Sequence, residues 1–186
     1  MNQMQSTAIL TSLIARMRQE GSWCGETHIQ KAVFLLQELL RCPVGFEFIL
    51  YKHGPFSFDL RDELTSLCAD EILSMEPQAP PYGPKFSVTS SGEQIQRRYP
   101  KTLGEQQSRI NFLAGVLGGK GVAELERLAT ALYVTLEPGA QAQTEERAQR
   151  LHDLKPHVPI EEARMAVEAL DGMRREAVTQ GLIESS

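Results

Sequence analysis

A chain of 186 residues and 20.7 kDa is long enough for one substantial core, with or without an extension, and too short for several independent ones. At this length about 70% of the unfolded surface is buried on folding, so neither disulfides nor a structural metal are needed for stability. Hydrophobic residues at 41% and charged residues at 23% exclude disorder, collagen and coiled coil. The net charge of −5 has the wrong sign for non-specific coating of nucleic acid or an anionic membrane, although a local basic patch stays open.

The residues before the first apolar run, Met1 to Ser6, carry no basic residue, and Arg16 and Arg18 follow that run instead of preceding it, the reverse of a secretory signal. No apolar stretch approaches the roughly 20 residues needed to cross a bilayer. Cys24, Cys42 and Cys68 are odd in number and show no CxxC spacing, so reduced structural thiols and a cytoplasmic location are expected.

Ile9, Leu10, Leu13, Ile14 and Met17 recur at helical spacing and predict a first helix, with Ser6 or Thr7 as its N-cap. Gly21 to Gly25 breaks it. Thr27 caps a second helix whose apolar face is Ile29, Val33, Leu36, Leu39 and Leu40, ended by Pro43 and Gly45. The aromatic, partly alternating run Phe46 to Tyr51 predicts a strand, and Gly54-Pro55 a turn. Ser57 or Asp59 caps a third helix carrying Leu60, Leu64 and Leu67, with acidic residues in its first turn.

Ile72 to Met75 and Phe86 to Thr89 read as short strands around a Pro- and Gly-rich loop, Pro77 to Pro84, long enough to be a wing. Ser90 or Ser91 starts a helix through Ile95 and Arg98 that Pro100 ends. After a polar link, helices are expected over Ile110 to Leu117, Gly121 to Leu136 and Pro159 to Thr179. The middle one carries an apolar stripe from Val122 through Leu125, Leu128, Ala129, Leu132 and Tyr133 to Leu136. Those stripes require burial against the first part of the chain or against a second copy.

The order helix, helix, strand, helix, strand, wing, strand is that of a winged helix-turn-helix. The segment Tyr82 to Gly92 resembles a wing's return strand leading into a Thr-x-x-Gly helix start. More specifically, Thr27-His28-Ile29-Gln30-Lys31-Ala32-Val33-Phe34-Leu35-Leu36-Gln37, followed by Phe48 to Ser57 and by Asp59-Leu60-Arg61-Asp62-Glu63-Leu64, resembles the Panacea, or SocA-like antitoxin, domains. The wording Lys52-His53-Gly54-Pro55-Phe56-Ser57-Phe58-Asp59-Leu60 is closer still to the YwgA-like branch of bacterial proteins. The likeness covers residues 5 to 100, with weaker echoes at Glu124 to Ala131 and Leu154 to His157. His53 stands where the Panacea pattern has an aromatic before Gly-Pro, and Phe56 where it has Val. The resemblance implies a winged-helix-like domain that binds a protein partner, often a toxin, and in some members serves as an adaptor or regulator.

His53 beside Lys52 and Arg61 suggests a cationic pocket for an anion, or simply a turn residue. Residues 56 to 70 set Arg61 against Asp59, Asp62, Glu63 and Asp70, a net of −3, so a third helix of this charge is repelled by phosphates and suits protein binding. Residues 85 to 101 carry Lys85, Arg97, Arg98 and Lys101 against Glu93, a net of +3 that can hold a backbone phosphate, an acidic partner or only solvent. Gly118-Gly119-Lys120-Gly121 lacks the phosphate-loop spacing, with Ala114 where a glycine is required and Gly121 in place of Ser or Thr, and reads as a helix-breaking turn. His152 and His157 are separated by Pro156 and suggest no metal site; Cys24 reads as a buried small residue, not a nucleophile.

The sequence therefore predicts a mainly α, α+β chain: a winged-helix-like domain over residues 1 to 104 and a helical extension over 105 to 186, packed on it or on a second copy. The expected function is non-enzymatic protein binding of antitoxin or adaptor type, in a toxin-antitoxin or phage-defence setting, with no cofactor, no metal and no membrane partner. The expected partner surface is His28, Lys31, Tyr51, Lys52, His53, Gly54, Pro55, Phe56, Asp59, Arg61 and Asp62. The alternative is a DNA-binding regulator using the wing with Lys85, Arg97, Arg98 and Lys101.

Overall fold

The computed structural model describes residues 1–80, 83–139 and 143–184. Helix α1 (Gln3–Gln19) begins a turn earlier than its apolar spacing suggests, because Asn2 and Gln5 form a reciprocal capping box: the Asn2 side chain accepts from the Gln5 N–H and the Gln5 side chain accepts from the Asn2 N–H, each at 2.9 Å. Thr7, expected as a cap, instead donates to the Gln3 carbonyl within the helix. All five residues of the predicted stripe are buried.

Helix α2 (Glu26–Glu38) starts at Gly25 with no side-chain cap, so Thr27 lies inside its first turn. Past its end Arg41 adopts a left-handed φ of +56° and the Cys42 N–H returns to the Leu36 carbonyl at 3.1 Å. Residues 46 to 51 alternate as predicted, with Phe46, Phe48 and Leu50 half-buried and Glu47, Ile49 and Tyr51 exposed. Only β1 (Ile49–Tyr51) forms a ladder, antiparallel to β2 (Gly54–Phe56), pairing Ile49 with Phe56 and Tyr51 with Gly54. Gly54-Pro55 is thus strand, not turn, and the reversal falls on Lys52-His53. Pro55 is tolerated because a two-stranded ribbon leaves one edge that needs no N–H donor.

Helix α3 (Phe58–Ala69) is capped by Ser57, whose hydroxyl accepts from the Leu60 N–H at 3.2 Å. Strands β3 (Leu73–Glu76) and β4 (Lys85–Val88) form a second antiparallel hairpin, and within the predicted loop between them Pro81 and Tyr82 lie outside the described residues. Helix α4 (Ser90–Arg98) is capped by Thr89 instead of Ser90 or Ser91. Pro100 does not only end it: placed in the first turn, where a missing N–H costs nothing, it opens α5 (Pro100–Leu117), so the expected polar link is helical.

Helix α6 (Val122–Leu136) buries Leu125, Leu128, Ala129 and Leu132 but leaves the ends of its predicted stripe, Val122 and Leu136, 42% and 41% exposed. Helix α7 (Thr144–Leu154) lies outside the helices expected from apolar spacing and buries little beyond Arg147, Ala148 and Leu151; α8 (Ile160–Thr179) follows Pro159.

One continuous cluster of buried apolar side chains runs from Ile9 to Leu182. Helix α1 packs on α4, α5 and β4; α2 on α5, α6 and β2; and α8 on α6 and α7. The boundary expected between residues 104 and 105 falls inside α5, which packs on α1 and α2. Among the described residues the architecture is mainly helical, eight helices with two small antiparallel sheets, and no helix is long and apolar enough to cross a membrane.

Candidate functional site

The β1–β2 turn is clamped from beneath by side chains of three helical segments. From α2, Lys31, only 1% exposed, donates its ammonium to the Pro55 carbonyl at 2.8 Å, and Gln30 spans Ser57, donating to its carbonyl at 2.8 Å and accepting from its N–H at 2.9 Å. At the end of α7, Lys155 donates to the carbonyls of Tyr51 and Lys52, each at 2.7 Å. These bonds give the ammonium groups of two buried lysines their acceptors and tie the hairpin's carbonyls to α2 and to the end of α7.

Between the lysines stands Glu126 of α6, its side chain 10% exposed. Its carboxylate lies 3.6 Å from the Lys155 ammonium, 3.6 Å from His53 Nδ1 and 3.7 Å from His157 Nε2. These are ion-pair distances, and Oε1 receives no hydrogen bond among the described residues. Burial, which disfavours the cation, pulls the Lys31 ammonium down to about 8, with Lys155 adding to the fall and Glu126 and Glu26 opposing it. Gly54 closes the arrangement. At φ +81° it lies against α6, where a Cβ would meet Thr130 Oγ1 at 3.0 Å and the Glu126 carbonyl at 3.5 Å.

Above this clamp the side chains turned to solvent are apolar and aromatic. Ile49, Tyr51 and Phe58 are 50%, 54% and 41% exposed, and Phe56 is half-buried. The rings of Tyr51, Phe56 and Phe58 contact one another with centroids 5.1 to 5.7 Å apart, and the Arg61 guanidinium lies 5.0 Å over Phe58. Asp59 and Asp62 are exposed beside them on the first turns of α3.

The structure therefore groups Tyr51, Phe56 and Arg61 around Phe58, with Asp62 against Arg61 and Asp59 exposed at the start of α3, while Lys52 and His53 are exposed on the turn, where His53 faces Glu126. It corrects four others of the expected set, all buried: His28 and Lys31 because α2 is covered by α5, α6 and β2, and Gly54 and Pro55 because β2 packs on α2 and α6. Burial lowers the His28 imidazole below its usual range. The suggested cationic pocket does not form: His53 faces Glu126, while Arg61 engages Asp62 at 3.3 Å and the Phe58 ring. Glu126, Thr130, Lys155 and His157 were not placed on the partner surface: each lies more than 70 residues from the turn, and the segments Glu124 to Ala131 and Leu154 to His157 that hold them carried only the weaker likeness.

Of the alternative basic set, Lys85 stacks on Trp23, 3.6 Å from the ring centroid, and Arg97 pairs with Glu93 at 3.5 Å; Arg97, Arg98 and Lys101 are exposed. Cys24 and Cys42 are buried free thiols pushed up by desolvation, Cys42 to about 11. Gly118 follows α5, where a Cβ would sit 2.4 Å from the Glu20 carbonyl, so close helix approach accounts for this glycine. His152 Nδ1 lies 2.7 Å from the Val158 carbonyl, and among the described residues no three His, Cys, Asp or Glu side chains are grouped to hold a metal. Compared with known proteins, the chain matches no family model and no curated sequence.

Proposed function

We propose that the chain is a non-enzymatic, cytoplasmic bacterial protein-binding module of antitoxin or adaptor type, of the Panacea and YwgA-like kind its sequence resembles. In this reading α3 and the β3–β4 hairpin are the helix and wing of a winged-helix-like domain, and the protein partner is a toxin or a regulated protein. One observation supports it above the others: four apolar or aromatic side chains, Ile49, Tyr51, Phe56 and Phe58, are displayed on a backbone that is already clamped by Lys31, Gln30 and Lys155. Aromatic residues and arginine supply most interface hot spots, and a rigid backbone avoids the ordering cost of binding.

The DNA-binding alternative meets a charge obstacle. Asp59, Asp62 and Asp70 are exposed on and just after α3, the helix that a winged-helix protein lays in the major groove. The test is affinity capture with wild type beside Tyr51→Ser/Phe58→Ser, followed by titration of the purified captured protein. A stoichiometric protein partner, bound at least about tenfold more weakly by the double variant, supports the reading. Recovery of a DNA fragment bound equally by both, and released by Arg97→Ala/Arg98→Ala, overturns it.

A further inference from the structure

Sharing no residue with the aromatic face, a cleft of about 710 Å³ opens between the turn after α2, the middle of α5, the C-terminal half of α6, α8 and residues 181 to 184. Its volume lies within the ~300–1,000 Å³ range of small-ligand sites. Leu132, Leu136 and Leu182 contribute apolar walls, and Leu136 is 41% exposed. Three arginines, Arg41, Arg109 and Arg174, line it together with Glu38, Asp171 and Glu184.

The acids do not neutralise the arginines evenly. Asp171 is engaged by a two-bond pair with Arg147, which does not line the cleft, at 2.8 and 2.5 Å. Among the described residues Arg109 is oriented without a carboxylate partner: its Nε donates to the Leu182 carbonyl at 3.1 Å and Nη1 to the Gln106 side-chain oxygen at 3.0 Å. Arg41 is exposed and makes no hydrogen bond or ion pair through its side chain among the described residues, yet it holds a left-handed φ of +56°, where glycine or asparagine is the less costly choice. Among the described residues no contact accounts for an arginine at that position.

We propose that this cleft binds a small amphipathic anion, its carboxylate or phosphate head on Arg41 and Arg109 and its apolar body along Leu132, Leu136 and Leu182. Guanidinium groups suit either head because their paired donors match two oxygens of the same acid. The site is separate from the aromatic face and does not depend on it.

The experiment titrates sodium decanoate into the full chain, with decyl phosphate and uncharged decanol in parallel arms, followed by calorimetry and amide shift mapping. Expected is saturable one-site binding of an acid, with shifts centred on Arg41, Arg109, Leu136 and Leu182, and decanol weaker by at least about tenfold. The tighter of the two acids assigns the head group. Arg41→Asn, which fits the left-handed backbone, keeps or raises the melting temperature and weakens acid binding by about tenfold or more. Equal binding of decanol, undiminished binding by Arg41→Asn, shifts confined to the aromatic face, or no saturable binding of either acid each overturn the proposal.

Discussion

Gly54→Ala tests the seating of the β1–β2 hairpin on α6. The residue sits at φ +81°, where a side-chain-bearing residue costs about 1 kcal/mol, and its new Cβ would stand 3.0 Å from Thr130 Oγ1. That hydroxyl cannot move freely, because it donates to the Glu126 carbonyl at 2.7 Å, and breaking the bond costs about 1 kcal/mol more. The expected loss is about 2 kcal/mol. Gly45→Ala is the matched control: φ is +86° but nothing lies within 4 Å of the added Cβ, so only the backbone cost of about 1 kcal/mol applies. Urea denaturation with an unchanged m-value measures both, and in a chain of this size the difference of about 1 kcal/mol also separates the melting temperatures by roughly 2–4 °C. If the two variants lose the same stability within about 0.3 kcal/mol, the hairpin does not press on Thr130 and the clamp is wrongly drawn.

Lys155→Met removes two bonds to the turn and one charge from a pair whose side chains are 7% and 10% exposed. Leaving Glu126 so buried is expected to cost about 3 kcal/mol, and adding Glu126→Gln should restore part of it; a single-variant loss below about 1 kcal/mol contradicts a buried pair. Lys31 makes a signed pH prediction. Its folded-state ammonium titrates at about 8 against the ordinary 10.5, so between those values the unfolded chain binds more protons and this group's contribution to stability rises with pH. Wild type should therefore gain about 1 kcal/mol relative to Lys31→Met from pH 8 to pH 9, measured by urea denaturation. A constant difference between the two proteins across that interval refutes it.

The parts of the fold legible in the sequence were those where apolar spacing and caps coincide. The stripe of α1, the face of α2 and the Ser57 cap of α3 all stand as their residues suggested. Pro100 misled because a proline that ends one helix also suits the first turn of the next. Helix α7 escaped because its burial rests on Ala148, Leu151 and the charged Arg147, which no hydropathy pattern signals. At the site, the local residues Tyr51 to Asp62 were visible as a run, whereas Lys155 and Glu126 beneath them were not. Lys155 lies 103 and 104 residues from the carbonyls it holds, and only packing reveals the pairing. The placement of His28 and Lys31 failed for the same reason: polar residues on a helix read as surface until the helices covering them are known.

Replacing Phe58 by the photo-crosslinker benzoylphenylalanine in the native host, with the same replacement at Arg98 as the comparison site, tests the partner surface most directly. Position 58 is expected to crosslink to one protein at high yield, and position 98 is not. Crosslinks to DNA from position 98, with none to protein from position 58, would contradict it.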